Sequence, residues 1–285
     1  MDKIKLASRK WYQAMGQATE LLGKPGFPDA MMAALSRVIN YDGAAILLYP
    51  PEGVPIMYHE SDLTGGISER GEMKYYLRGM YLLDPFYLKS GVVTEGGLWM
   101  LKEVAPDHFT RTEYYRRYFV CCNYQDEANY ILPIPGQGSV AIALDCCRRI
   151  SRAEVDRLRA IEPWVLSLMK IHWNLSNDQP QPSTDSVGLA KRLAASFDNF
   201  GISILTDREC QVAQLMLRGH STKSSANKLG ISSETVKVHR RNLYQKLDIQ
   251  SQPELFSLFL DALSVQDEES VNEDPLERYL GPQTK

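Results

Sequence analysis

Apolar residues recur at helical spacing over 4–22, stopping at Gly23, and again over 28–39, where Pro28 suits a first helical turn. Two helices are therefore expected to open the chain. Segments 44–49 and 55–59, either side of Pro50-Pro51-Glu52-Gly53, have the composition of a short strand pair. Helix-like spacing returns over 71–81 and over 106–119, the latter opened by Pro106 and dense in aromatics. Segments 129–134 and 139–147 then predict two strands joined by the turn Pro135-Gly136-Gln137-Gly138, with Val140, Ile142 and Leu144 on one face. Ser151 and Glu154 form a capping box for a long helix whose stripe is Val155, Leu158, Ile161, Val165, Leu168 and Met169. Helices before, between and after the strands predict an α/β sandwich, a mostly antiparallel sheet flanked by helices.

The pattern changes after residue 200. Thr206 and Glu209 make a second capping box, followed by an apolar stripe of Val212, Leu215 and Met216 that ends at Gly219. Ser221 opens a shorter helix with Ala226 and Leu229 inward, closed by Gly230. Ser232 caps a third helix in which Val236, Leu243 and Leu247 recur on one side, while Lys237, Val238, Arg241 and Gln245 fall opposite. A short helix, a glycine turn and a helix with a cationic outer face have the geometry of a helix-turn-helix, whose second helix fits the major groove.

Charge sharpens this division. The 285 residues carry a net charge of −3, which excludes a wholly basic nucleic-acid coat. Residues 1–173 hold 20 basic and 20 acidic side chains, 203–255 hold 8 and 5, and 264–285 hold 2 and 6. DNA contact is thus expected to be local to residues 203–255. Residues 174–186 are rich in proline, amides and serine, so 174–199 is expected to be a linker between a neutral domain at 1–173 and a DNA-binding domain at 200–263. The acidic segment 264–285 is expected to be a solvated or weakly helical tail. The longest apolar run, 44–49, is far short of the roughly 20 residues of a membrane span, and the N-terminus has no apolar signal core, so the protein is expected in the cytoplasm. Five cysteines, four of them in neighbouring pairs without metal-ligand spacing, predict neither a disulfide framework nor a zinc site.

Residues 205–249 closely resemble the DNA-binding domain of LuxR-type bacterial transcription regulators. The resemblance runs through Leu205-Thr206, Arg208-Glu209, Gly219, Ala226, Leu229-Gly230-Ile231-Ser232, Thr235-Val236-Lys237, His239, Asn242 and Lys246-Leu247; Ser224-Ser225 depart from it. It implies an all-α four-helix domain, with Leu255, Phe256, Phe259 and Leu263 on a last helix that serves as a dimer contact in the family. It also implies Lys237, Val238 and Arg241 as groove residues and Thr222, Lys223, Thr235, Arg240 and Lys246 as phosphate contacts. The chemistry agrees, since arginine can fork onto guanine and valine can meet a thymine methyl, whereas lysines and hydroxyls suit the backbone.

A weaker resemblance relates residues 10–173 to the autoinducer-binding domain of the same regulators, and several stretches resemble those that lack a partner signal synthase, the solo regulators. It implies that Asp84, followed by Pro85, receives a ligand amide, with Tyr75 nine residues before it and Trp99 fifteen after. The family's lactone-binding Trp would fall at Gly71. An unpaired lactone carbonyl costs about 1–3 kcal/mol, so acyl-homoserine lactones are expected to bind poorly. From the residues themselves, Asp84, Asp126 and Glu127 are carboxylates set among aromatics, and such a mixture suits a cationic ligand. The candidate ligand residues are Tyr75, Tyr76, Tyr81, Asp84, Phe86, Trp99, Tyr115, Asp126 and Glu127.

Cys121, His108 and Asp107 lack the elbow glycine, phosphate loop or zinc spacing of a catalytic site, so no enzyme and no cofactor are expected. The expected protein is a dimeric, ligand-responsive regulator bound to an inverted-repeat operator, with RNA polymerase a further candidate partner. An amine-containing metabolite is the first candidate signal. An acyl-homoserine lactone, or redox or protein-interaction sensing, is the alternative.

Overall fold

A computed structural model describes residues 8–62, 76–77, 79–112, 114–176, 184–264 and 273–280. Its centre is a sheet of five strands: β1 (Gly43–Tyr49), β2 (Ile56–Asp62), β3 (Gly97–Met100), β4 (Asp126–Ile134) and β5 (Gly138–Cys146). They lie in the order β2-β1-β5-β4-β3, every pair antiparallel. The β4–β5 hairpin pairs Ile134 with Gly138. Gly138 has φ +97, and any side chain there would collide with the Tyr49 carbonyl.

Strand alternation sends the side chains to two cores. Ile46, Leu98, Tyr130, Ile142 and Leu144 face α1 (Arg9–Glu20), α2 (Phe27–Leu35) and α5 (Arg152–Leu175). Ser151 and Glu154 form the expected capping box of α5, and Leu158, Ile161, Val165, Leu168 and Met169 are buried on the sheet. The opposite face carries Ala45, Leu47, Tyr49, Ile131, Ala141 and Ala143 beneath the aromatic segment 76–124. This is the expected sandwich with its flanking helices.

That aromatic segment is less regular than its spacing suggested. Of the helix expected over 71–81, residues 71–75 lie outside the described residues, Tyr76 and Leu77 are helical, and a 3₁₀ turn covers Met80–Leu83. Asp84 then caps the short α3 (Pro85–Ser90). The four-residue β3 runs directly into α4 (Leu101–Val104). The helix expected over 106–119 is instead a 3₁₀ turn at Phe109–Arg111 and a π-helical turn at Tyr115–Phe119. Thr112 makes the break: its hydroxyl donates to the Phe109 carbonyl and accepts from the Tyr115 N–H, a local alternative to helical bonding.

The expected linker at 174–199 is largely helical. α5 continues to Leu175, and Thr184–Asn199 forms α6, which buries Ala190, Leu193 and Phe197. The C-terminal domain contains α7 (Asp207–Leu217), α8 (Thr222–Leu229), α9 (Ser233–Lys246) and α10 (Gln252–Ser264). Its caps are Thr206 with Glu209, Ser221 and Ser232, each accepting the N–H three residues on. Phe259 of α10 sits edge-on against Phe197 and Phe200, with ring centroids 5.4 and 5.3 Å away. Leu255, Phe256 and Phe259 of α10, like the inward stripe of α5, are buried within the chain itself.

The acidic tail carries a short helix, as one expectation had it, but its start is anchored rather than solvated. Asp274 is buried and accepts from Gly201 N at 2.9 Å, Ser203 N at 2.8 Å and Ser203 Oγ at 2.6 Å. It also takes the Leu276 N–H at 2.9 Å and so caps α11 (Pro275–Leu280). Three donors with their hydrogens aimed at one site need an acceptor, and only a carboxylate has enough lone pairs to hold both them and a helix start. Among the described residues no helix is long and apolar enough to cross a membrane.

Candidate DNA-binding surface and buried carboxylate cavity

Helix α9 divides as its periodicity requires. Val236 and Leu243 are buried against α7 and α8, whereas Lys237, Val238 and Arg241 are exposed. Val238 is 45 % exposed. The Lys237 ammonium lies 2.7 Å from Glu234, but both side chains are solvated, so the pair constrains the lysine little. Thr235 is exposed at the start of the helix, and Lys223 is exposed and Thr222 half-buried at the start of α8.

Two expected phosphate contacts are engaged elsewhere. Arg240 donates to the Tyr244 hydroxyl at 3.2 Å and lies over its ring. Lys246 donates to Glu209 Oε2 at 2.7 Å, and the Glu209 side chain is only 4 % exposed. Burial raises the cost of that carboxylate's charge, but Lys246 and Thr206 together hold it below the ordinary glutamate range. Lys246 therefore ties the end of α9 to the start of α7.

The second feature is a cavity of about 40 Å³ between the sheet and the aromatic segment. Asp84 enters it from the start of α3, accepting from Tyr76 Oη at 2.6 Å and from Phe86 N at 2.8 Å. Glu127 and Asp145 face each other across the β4–β5 pair, and Gly43 of β1 lies opposite Asp145. Tyr124 packs so closely on Gly43 that any side chain there would collide with its hydroxyl. Tyr49, Tyr114 and Tyr118 complete the aromatic wall, and none of the described lining residues is basic.

Burying like charges together has a direct electrostatic result. Burial pushes Asp84 up to about 6, against the pull of its hydrogen bonds from Tyr76 and Phe86. Burial, and then the neighbouring charges of Asp84 and Asp42, push Asp145 up to about 8. Burial, and then the neighbouring charges of Asp145 and Asp84, raise Glu127 well above the ordinary range. Beside Glu127, Asn129 is fully buried; its Nδ2 donates to Glu127 Oε1 at 2.6 Å, while its Oδ1 has no partner. The site therefore gathers carboxyls whose ionised forms burial and mutual repulsion both oppose.

Of the candidate ligand residues, the structure brings together Tyr76, Asp84 and Glu127; Tyr75 lies outside the described residues. Tyr81 packs edge-on against Tyr87 behind the wall, and Phe86 is core. Trp99 is covered by Lys89, whose ammonium lies 5.3 Å from the ring centroid. Asp126 points away because adjacent strand residues face opposite sides; its carboxylate accepts from Glu127 N and Ile150 N, both at 3.0 Å. Asp126 and Tyr115 line instead an open groove of about 490 Å³ together with residues of segment 105–110. Asp145, Tyr49, Tyr114, Tyr118 and Tyr124 were missed. Asp145 had a legible signal: a hairpin closing Ile134 on Gly138 places Glu127 opposite Asp145.

Residues 203–259 match the family described as bacterial regulatory proteins, luxR family. A putative HTH-type transcriptional regulator from the exeN 3′ region of Aeromonas salmonicida is 35 % identical over 186 residues, 63 % of this chain and 94 % of that protein. The chain belongs to the luxR family. In this luxR-family regulator the likeness to a nitrate/nitrite response regulator protein, NarP of Escherichia coli, is confined to 64 residues at 44 % identity, 22 % of this chain and 30 % of NarP. The N-terminal half is similar to the VqsR LBD domain of Pseudomonas aeruginosa, with TM-score 0.54 and 26 % identity over 60 % of this chain and all of that one. The family is one of DNA-binding transcription regulators, not of enzymes, and α7 to α10 are its DNA-binding domain.

Proposed function

We propose that this transcription regulator responds to a small molecule carrying a cationic nitrogen, seated against Asp84, Glu127 and Asp145. The observation that carries the reading is the juxtaposition of three buried carboxyl groups, with the exposed Glu60 also on the lining, with tyrosine faces and no basic lining residue among those described. A cation restores charge balance there, and the tyrosines add cation–π attraction of roughly 0.5–2 kcal/mol each. A cavity of about 40 Å³ takes an ammonium head or a few waters. It is far below the roughly 300–1,000 Å³ that encloses a drug-sized ligand, which disfavours a long acyl chain.

On the DNA side, Lys237, Val238 and Arg241 read base edges, and Thr222, Lys223 and Thr235 hold phosphates. Two copies on an inverted repeat remain the expected arrangement, because a single domain with so few free cations has a weak backbone anchor. Calorimetric titration with an amine panel and an acyl-lactone panel, on wild type and on Asp84→Asn, Glu127→Gln and Asp145→Asn, tests the ligand. Amines should bind the wild type and weaken on each substitution. Tight lactone binding, or amine binding indifferent to all three substitutions, would sink the amine reading and leave the regulator assignment standing.

A further inference from the structure

The turn that leads into α8 is docked on the sensor domain. His108 N donates to the Gly219 carbonyl at 3.1 Å, and Ser221 N donates to Asp107 Oδ1 at 2.9 Å. The Ser221 hydroxyl donates to Asp107 Oδ2 while accepting from Ser224 N at 3.1 Å, so one side chain both caps α8 and holds the sensor carboxylate. The fit is close. Gly219, at φ +85, lies where any side chain would collide with Thr112, with Pro106 next nearest.

The Asp107 carboxylate thus occupies the N–H-lined start of a helix, a place that favours an anion through both hydrogen bonding and the helix dipole. Partial burial works against its charge, but the Ser221 hydroxyl and N–H outweigh this and hold Asp107 below the ordinary aspartate value. In helix-turn-helix docking the first helix of the pair crosses the DNA backbone while the second enters the groove. α8 is that first helix. Its start, with Thr222 and Lys223 alongside, is where a duplex phosphate would arrive, yet the reading side of α9 is left exposed.

We infer that Asp107 competes with a DNA phosphate for the start of α8, so that sensor residues 106–112 and the DNA backbone are alternative partners of the turn 219–221. The inference rests on the DNA-binding reading of α8 and α9 and adds the partner that DNA must displace. It also connects the two domains by a short path. Tyr115 N donates to Thr112 Oγ1 at 3.1 Å and Tyr114 lines the carboxylate cavity, so the cavity wall and the docking segment are consecutive pieces of chain.

The test uses the full-length protein without added ligand. Fluorescence anisotropy measures binding to a random-sequence duplex and to a site selected from a random library, for wild type, Asp107→Ala and Asp107→Asn. Amide hydrogen exchange follows the turn at 219–221. Asp107→Ala should bind both duplexes about tenfold more tightly, because a phosphate contact is blind to sequence, with Asp107→Asn intermediate and the Ser221 amide exchanging faster. Faster exchange with unchanged or weaker DNA binding would overturn the competition, and unchanged exchange would show that the docked turn is not held by Asp107. If no form binds any duplex, or if Arg241→Ala in the Asp107→Ala background loses no preference for the selected site, the failure lies with the DNA reading itself.

Discussion

Substituting Asp145 by Asn should change how the stability of the sensor domain depends on pH. In the folded protein the Asp145 carboxyl, ordinarily at 3.8, is pushed up to about 8, chiefly by burial and then by Asp84 and Asp42. In the unfolded chain it returns to its ordinary value. Between those two values the folded state holds a proton that the unfolded state has lost, so stability falls as pH rises, by up to about 1.4 kcal/mol per unit. The loss is complete once pH passes the folded value. Between pH 6.5 and 8 one such group contributes a fall of about 1.5–2 kcal/mol. His172 and His220, both held down to about 4 chiefly by burial, act in the opposite sense: their contribution is lost as pH falls from the unfolded histidine value towards 4. Comparing wild type with Asp145→Asn cancels them.

The assay is urea denaturation at fixed ionic strength, followed by near-ultraviolet circular dichroism, at pH 6.5, 7.25 and 8. Asp145→Asn should gain on wild type by about 1.5–2 kcal/mol across that range. Parallel pH profiles would refute the upward shift of Asp145. The same logic bears on the ligand. A cation entering beside Asp84, Glu127 and Asp145 favours their ionised forms, so its binding should release protons and strengthen as pH rises from 6 to 8. Titration in two buffers of different ionisation enthalpy reads that release directly, and buffer-independent heats would contradict it.

Further outcomes are expected elsewhere in the chain. Lys246→Ala leaves Glu209 buried without its ammonium and should destabilise the DNA-binding domain by about 1–3 kcal/mol in thermal melts; Lys246→Arg should restore most of it. A Lys246→Ala protein that melted like wild type while its DNA binding lost salt dependence would return Lys246 to the phosphate backbone. Arg241→Ala, on the exposed side of α9, should cost about 1–3 kcal/mol on a selected site and relax preference at one base position, and equal loss on random DNA would argue against base reading. Asp274→Ala strands the Gly201 and Ser203 N–H groups and should cost about 2–3 kcal/mol, with faster proteolysis after residue 264; unchanged cleavage would show the tail is held by Leu276 alone.

Local chemistry was the most legible part of this chain. Ser151, Thr206, Ser221 and Ser232 each announce a helix start, because a short polar side chain before an apolar period is the cheapest partner for an unpaired N–H, and all four make that bond. The hairpin and the inward stripe of α5 were legible for similar reasons of period and turn chemistry. What escaped was set by distant partners. β3 is four residues long and exists because Trp99 and its neighbours find Asn129 and the rest of β4 across 30 residues of chain. α6 carries helical spacing but sits behind a polar stretch, and distant partners, Phe259 and Arg218, make Phe197 a core residue. The acidic tail has the composition of disorder, and a single carboxylate meeting three donors 71–73 residues upstream orders its last turn.

The cavity follows the same rule at higher stakes. Asp126 and Glu127 are neighbours in sequence and opposites in space; only the strand period decides which of them is buried, and the hairpin register then decides that Asp145 is its partner. Asp107, passed over as a member of an implausible catalytic group, acquires meaning only when a helix start 114 residues away is brought against it. In each case the residue's type predicted what it could hold, and the fold determined which group it holds. For a regulator this division has a use. A carboxylate whose partner is supplied by a distant, separable domain can exchange that partner, whereas one capped within its own helix, like Glu154, cannot.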